Sequence, residues 1–331
     1  MGSAAEFRRR EGVRRRTGYT GRQMTLEDEF RSYTNKQAYE AVFARRMMLR
    51  EHPDSPPVLG NSQRDDFLPF LHTLLQHVPP AAHILDVGGG AGDIVDLALE
   101  RVEGATIHVE EPNEALLESY RRRLSTHASL KCGTLHPVPV ERLPLPLRSG
   151  GTEMLCDAVL AIHMLYFVDD LVGTLRALYG ALRPGGFLFV VIADQLVSTT
   201  GRAGRFHYAR IGDESRVHKL DECWALREEL LGQAGIARLL DPESSPTVEV
   251  HRTESWLFGR DADDVVAMCL AGELLSADDE MFDLRKLESC RAFLDEHGDT
   301  VQFGIEDRPI PQRGWHRAAQ PQIVTVIRRG A

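Results

Sequence analysis

The stretch ILDVGGGAGD, Ile84 to Asp93, constrains the architecture more than any other in the chain. An apolar run ends in Asp86, the chain turns through Gly88, Gly89, Gly90 and Gly92, and a helix-like sequence begins at Asp93. A strand that turns tightly into a helix opens an α/β layer structure, and here the alternation continues. His83 to Val87 reads as a strand and Asp93 to Arg101 as a helix. Thr106 to Val109 and Glu114 to Leu124 repeat the pair, and Ser129 to Gly133 is a candidate third strand. Ala158 to Ile162 is a fourth, Leu171 to Leu182 a helix that stops at RPGG, and Phe187 to Ala193 an apolar run of the kind buried on both faces. The alternation predicts a mostly parallel, doubly wound sheet with helices on both sides.

The flanks read as a helical cover. Met24 to Arg50 and Phe67 to His77 carry helical spacing, separated by a break at Pro53, Pro56 and Pro57. After Asp194, Leu220 to Ala234 and much of Asp261 to His297 look helical, whereas Thr247 to Phe258 and Gln322 to Arg328 look like strands. The expected organisation is a basic, disordered tail over residues 1–23, a helical cap over 24–80, the core over 81–194, and remaining core strands with cover insertions over 195–331.

Backbone N–H groups at a glycine turn and helix N-terminus can hold a ligand closely. In dinucleotide enzymes they hold a diphosphate, with the pattern G-x-G-x-x-G. Here the third glycine comes one residue early and Asp93 follows, so the turn suits a ligand with a cationic group and no phosphate. Glu110 and Glu111 end the second strand, about 20 residues on, where a carboxylate accepts from ribose hydroxyls.

Together with CDAVLAIHMLYFVDD and LRPGGFLFVVIAD, these features resemble the class I S-adenosylmethionine (SAM) methyltransferases. That resemblance implies a Rossmann-like, mostly parallel seven-stranded sheet and SAM as cofactor with S-adenosylhomocysteine as product; no metal is expected, because no metal-binding acid cluster is visible in the sequence. By the same resemblance, Asp86 and the backbone of Gly88, Gly89, Gly90 and Gly92 face the methionine part, and Glu111 clamps the ribose. Leu116, Val140 and Glu141 border the adenine, while Ile162 and His163 lie between cofactor and substrate.

More loosely, Leu26 to Arg328 resembles the histamine N-methyltransferase-like small-molecule subfamily. This implies an aromatic chamber with Tyr33, Tyr39, Tyr166, Phe206, Tyr208 and Trp256 as candidate walls; Phe167 either walls the pocket or packs, and Trp224 and Trp315 read as packing residues. Lys36 stands where that subfamily has a substrate-binding glutamate, His163 replaces a glutamine, and Gln320 falls near an asparagine. A lysine there prefers a carboxylate, so the expected acceptor is the nitrogen of a small amine or amino acid. A neutral amine needs a base, for which His163 and His207 are candidates. Sulfur methylation of a thioether amino acid such as methionine is the alternative, since it needs no base. Asp169 and Asp170 read as helix caps rather than metal ligands.

Composition narrows the remaining classes. The net charge of -10 argues against nucleic acid as the partner. RNA or protein methylation, and SAM binding without catalysis, remain as other classes. Cys132, Cys156, Cys223, Cys269 and Cys290 form no CxxC pair, which points to a cytoplasmic setting without zinc. No run is long enough to span a membrane and no signal-peptide core stands out. A small-molecule substrate and a monomer or homodimer are expected.

Overall fold

The computed structural model describes residues 25–50, 63–149, 152–240, 245–259, 261–270, 274, 278–297, 301–302 and 316–330. The expected tail, the break at Pro53 to Pro57 and Trp315 lie outside them.

In chain order, the first helices are α1 (Leu26–Phe30), α2 (Asn35–Arg50) and α3 (Gln63–Leu75), the last of which departs from the expected cap by packing on the central sheet through Phe67, Leu71 and Leu74. The core continues with β1 (His83–Val87), α4 (Asp93–Leu97), β2 (Thr106–Glu110), α5 (Glu114–Leu124), β3 (Lys131–His136), the hairpin β4 (Leu147–Ser149) and β5 (Thr152–Met154), β6 (Cys156–Ile162), α6 (Leu171–Gly180) and β7 (Leu182–Ala193). The cover follows as α7 (Thr199–Arg210), α8 (Glu214–Leu231) and α9 (Gln233–Leu239), then β8 (Thr247–Thr253), β9 (Trp256–Gly259), α10 (Ala262–Leu270) and α11 (Leu284–His297). The chain ends in β10 (Val301–Gln302), β11 (His316–Ala319) and β12 (Gln322–Arg328).

The central sheet has seven strands in the order β3-β2-β1-β6-β7-β12-β8. β3, β2, β1, β6 and β7 run parallel, and β12 is antiparallel to both β7 and β8. Chain order reverses between β1 and β6, and the carboxyl ends of strands at such a reversal are the usual ligand position in these sheets. The expected doubly wound, Rossmann-like fold is the fold observed.

Strand alternation gives each face its own core. Ile84, Ile107 and Val109 pack with Leu117 and Tyr120 of α5 on one face. Leu85, Val87 and Val159 pack with Leu175 and Leu178 of α6 on the other. A third core, built from Phe30, Val42, Val265, Leu287 and Phe293, joins the N-terminal helices to the late insertions. Arg45 reinforces that junction, 2.9 Å from Glu29 and 3.0 Å from the fully buried Asp264.

Several boundaries differ from expectation for local reasons. The first helix breaks at residues 31–34, where Thr34 bridges to Met281. The helix after β1 stops at Leu97 and tightens into a 3-10 turn, Leu99–Arg101. The RPGG sequence belongs to β7, with the Gly185 N–H donating to the Arg329 carbonyl. The predicted strand from Thr247 to Phe258 divides near Ser255, sending β8 to the main sheet and β9 to a three-stranded one. No helix among the described residues is long and apolar enough to cross a membrane.

Candidate cofactor and substrate site

The turn after β1 lies at the sheet's reversal point, and its glycines have different neighbours. Gly88, Gly90 and Gly92 adopt φ of 64°, 55° and 82°, the left-handed region that favours glycine. A Cβ at Gly88 would sit 2.5 Å from the Cβ of Met164. One at Gly89 would meet Tyr120 Cε2 and Val109 Cγ1, both at 2.8 Å, and one at Gly92 would meet Tyr120 Cγ at 2.9 Å. At Gly90 a Cβ would find no atom within 4 Å. Gly90 is therefore the glycine of the turn that faces open space, where a ligand could approach the backbone.

Carboxylates surround the turn. The Glu110 carboxylate accepts from Gly88 N–H at 2.9 Å. Glu111 accepts from Gly90 N–H at 2.9 Å through one oxygen and from Asn113 N–H at 2.8 Å through the other. Asn113 in turn caps α5, accepting from the N–H groups of Ala115 and Leu116. Below the turn, Tyr120 donates its hydroxyl proton to Asp86 at 2.8 Å. Burial pushes Asp86 up to about 7, opposed by the Tyr120 hydrogen bond and reinforced by Glu111. Burial also pushes Glu110 up to about 7; the Gly88 N–H lowers it, and Glu111, Glu141 and Asp86 raise it further.

The third strand's turn completes the rim. Val140 is buried in a 3-10 turn, and Glu141 accepts from Asp169 N–H at 2.9 Å. Leu116 is exposed on the first turn of α5. A diphosphate here would meet the acidic side chains of Asp86, Glu110, Glu111 and Glu141, whereas a sulfonium with an ammonium group would relieve their mutual repulsion. The donor set and the opening at Gly90 fit SAM. Asp93 contributes less than its sequence position suggests, because its carboxylate is turned to Arg123 at 2.7 Å.

On the neighbouring strand, Ile162 ends β6 and is half-buried against the first core. His163 follows with φ of 55°, and its N–H donates to Val191 O at 2.8 Å. Its Nδ1 lies 3.3 Å from the Tyr166 hydroxyl, which also accepts from Ala193 N–H. Arg227 of α8 donates to the Tyr166 carbonyl at 3.1 Å. Phe167 is 83% exposed, so it does not pack in the core. Asp170 caps α6, accepting from Gly173 N–H at 2.8 Å, as its position predicts.

The remaining predicted residues belong to the cover. His207 is buried, with Nδ1 3.1 Å from Ser289 Oγ, and burial pushes its pKa down. Its described partners, Ser289 and Tyr208, are cover residues. Phe206 packs on Phe293 and His297, and Tyr208 lies beneath Arg216. Tyr33 packs on Phe30, and Trp256 is half-buried in the same cover core. Gln320 is buried, donating to Thr200 Oγ1 at 2.7 Å and accepting from Thr200 N–H. Lys36 and Tyr39 are exposed on α2. The structure gathers Asp86, the glycines, Glu111 and Glu141 at the turn, while Ile162, His163 and Tyr166 lie at the end of β6 beside β7. It places His207, Gln320, Tyr33, Phe206, Tyr208 and Trp256 in the cover, and Lys36 and Tyr39 at solvent.

Among the described residues no group of three or more His, Cys, Asp or Glu is placed to hold a metal ion. Sequence reasoning named Glu110 only as the lesser acid, and missed Tyr120, Met164 and Arg227. Tyr120 had a signal: with Leu117 and Leu124 it marks the buried face of α5, where a phenol must find a polar partner.

Residues 85–188, which carry this turn and strands β2, β3 and β6 of the central sheet, match the family model of a methyltransferase domain. The chain is 26% identical over 197 residues to a malonyl-[acyl-carrier protein] O-methyltransferase of Halorhodospira halophila, covering 59% of this chain and 61% of that protein. It is 30% identical over 156 residues to a trans-aconitate 2-methyltransferase of Delftia acidovorans, covering 44% of this chain and 53% of that one. In both cases the match covers less than two thirds of the relative's own length. A solved SAM-dependent methyltransferase of Mesorhizobium loti aligns with a TM-score of 0.33 at 22% identity, covering 40% of this chain and 56% of that chain.

Proposed function

We propose that the chain transfers a methyl group from SAM to a small acceptor that carries a carboxylate, at the carboxyl ends of β1 and β6, between Gly90 and His163. The observation that carries this reading is the carboxylate rim of Asp86, Glu110, Glu111 and Glu141 around a turn open at Gly90. Bound there, SAM supplies an electrophilic methyl on a sulfonium. The chain's own residues need to align the acceptor and exclude water.

An amino-acid nitrogen is the acceptor atom of this reading. Such an amine must lose a proton, and in this reading His163, at the end of β6, is the base. Tyr166, near its Nδ1, orients the imidazole. Sulfur of a thioether amino acid needs no such base, and neither does a carboxylate oxygen. The relatives favour that second reading, ester formation, because their names denote transfer to oxygen in one case and an acid acceptor in both.

Incubation with methyl-labelled SAM and a panel of amines, amino acids, thioethers and dicarboxylic acids, followed by mass spectrometry, tests the proposal. Label in an amino-acid nitrogen supports the first reading, and base-labile label supports the ester. Label found only in RNA or protein contradicts both.

A further inference from the structure

We infer that Tyr120 is the positioning residue of the cofactor turn: its ring shapes the turn from below, its hydroxyl holds Asp86, and both together set the affinity for SAM. The inference rests on the methyltransferase reading above and names a part of the site that the reading does not use.

Three observations support it. Tyr120 is fully buried on α5, facing β1 and β2. Its ring occupies the space that side chains at Gly89 and Gly92 would need, so these glycines answer to the tyrosine, while Gly90 answers to the ligand. Its hydroxyl donates to Asp86 at 2.8 Å, immediately under the turn. The phenol thus fixes the turn's height and the position of the carboxylate beneath it.

The electrostatics follow from that geometry. Asp86 is faced by the Tyr120 hydroxyl from α5 and by Glu110 and Glu111 from the end of β2. Tyr120 itself is faced by Asp86, by Cys132 of β3 and by Arg123 one turn along its own helix. A donated hydrogen bond favours an ionised carboxylate. Without it, Asp86 holds its proton to higher pH and offers less attraction to a sulfonium or ammonium group.

Tyr120→Phe separates this role from packing, because the ring stays beneath Gly89 and Gly92 and only the hydroxyl is lost. SAM binding is measured by calorimetry from pH 6 to 9 for the wild-type chain and the variant, alongside the thermal midpoint. The expected result is a dissociation constant about tenfold higher at pH 7, or about 1.4 kcal/mol. The pH midpoint of binding is expected to move to higher pH by about half a unit or more. An unchanged pH midpoint in the variant, whatever happens to its thermal midpoint, overturns the inference. Absence of SAM binding by the wild-type chain instead overturns the methyltransferase reading itself.

Discussion

Arg123 of α5 lies 2.7 Å from the Asp93 carboxylate and 2.9 Å from Asp96, tying the start of α4 to the next helix. Asp93 is thereby partly neutralised and turned from the ligand side of the turn. The repulsion that disfavours a diphosphate comes instead from Glu110 and Glu111, whose carboxylates contact the turn's own N–H groups. Both partners of the Asp93–Arg123 pair are partly exposed, so the pair is worth about 0–1 kcal/mol. Asp93→Asn should therefore change SAM affinity by less than about threefold. A calorimetric loss of tenfold or more would return Asp93 to the binding site.

Glu111 is the contrasting case. It bridges Gly90 and Asn113 at the rim, where the ribose hydroxyls are expected. Glu111→Ala should raise the SAM dissociation constant at least about tenfold, or about 1.4 kcal/mol. Equilibrium binding that is unchanged would remove Glu111 from the ribose role.

The buried acids make stability depend on pH. Asp86 and Glu110 are both pushed up to about 7 by burial, well above their ordinary values of 3.8 and 4.5. In the folded chain they hold protons that the unfolded chain has already released. The stability this gives is fully present below about pH 4 and is lost as pH rises through about 7. These two groups should lower the thermal midpoint without ligand across pH 5 to 7.5 as they ionise, against the opposite slope from His108, whose pKa burial lowers to about 4, so Glu110→Gln should shift the midpoint upward relative to wild type above pH 7. Saturating SAM should raise the midpoint most above pH 7, where the carboxylates are charged. A variant midpoint no higher than that of wild type above pH 7 contradicts the assignment.

His163 can be tested without disturbing its unusual backbone. Asparagine tolerates the left-handed conformation that His163 adopts at φ of 55°. His163→Asn should leave SAM affinity intact and lower kcat for an amine acceptor by about 100-fold. Activity toward a carboxylate or thioether acceptor should change far less. Equal loss with every acceptor would make His163 a structural residue.

The core was legible in the sequence because its signals are local. β1, α5 and β12 begin and end where apolar runs and helical spacing place them. The glycine turn and the acids after β2 could likewise be read from spacing alone. Hidden from that reading was anything set by contact across the fold. Tyr120 meets Asp86 from 34 positions away. Gly88 is walled by Met164, beyond β6, so its role could not be separated from that of Gly90. The cover was harder still. Phe206, Tyr208 and Trp256 are aromatic in sequence whether they line a chamber or fill a core, and their described contacts are with the cover core. Lys36 shows the same limit, since helical position alone could not tell a substrate contact from the exposed residue that the structure displays.

Paired calorimetric titrations with SAM and with NAD, at pH 8, above the value of about 7 to which burial pushes Asp86 and Glu110, decide whether the turn holds a sulfonium or a diphosphate. The account predicts saturable heat with the sulfonium and none with the dinucleotide. Saturable binding of NAD, or no heat with SAM, would contradict it.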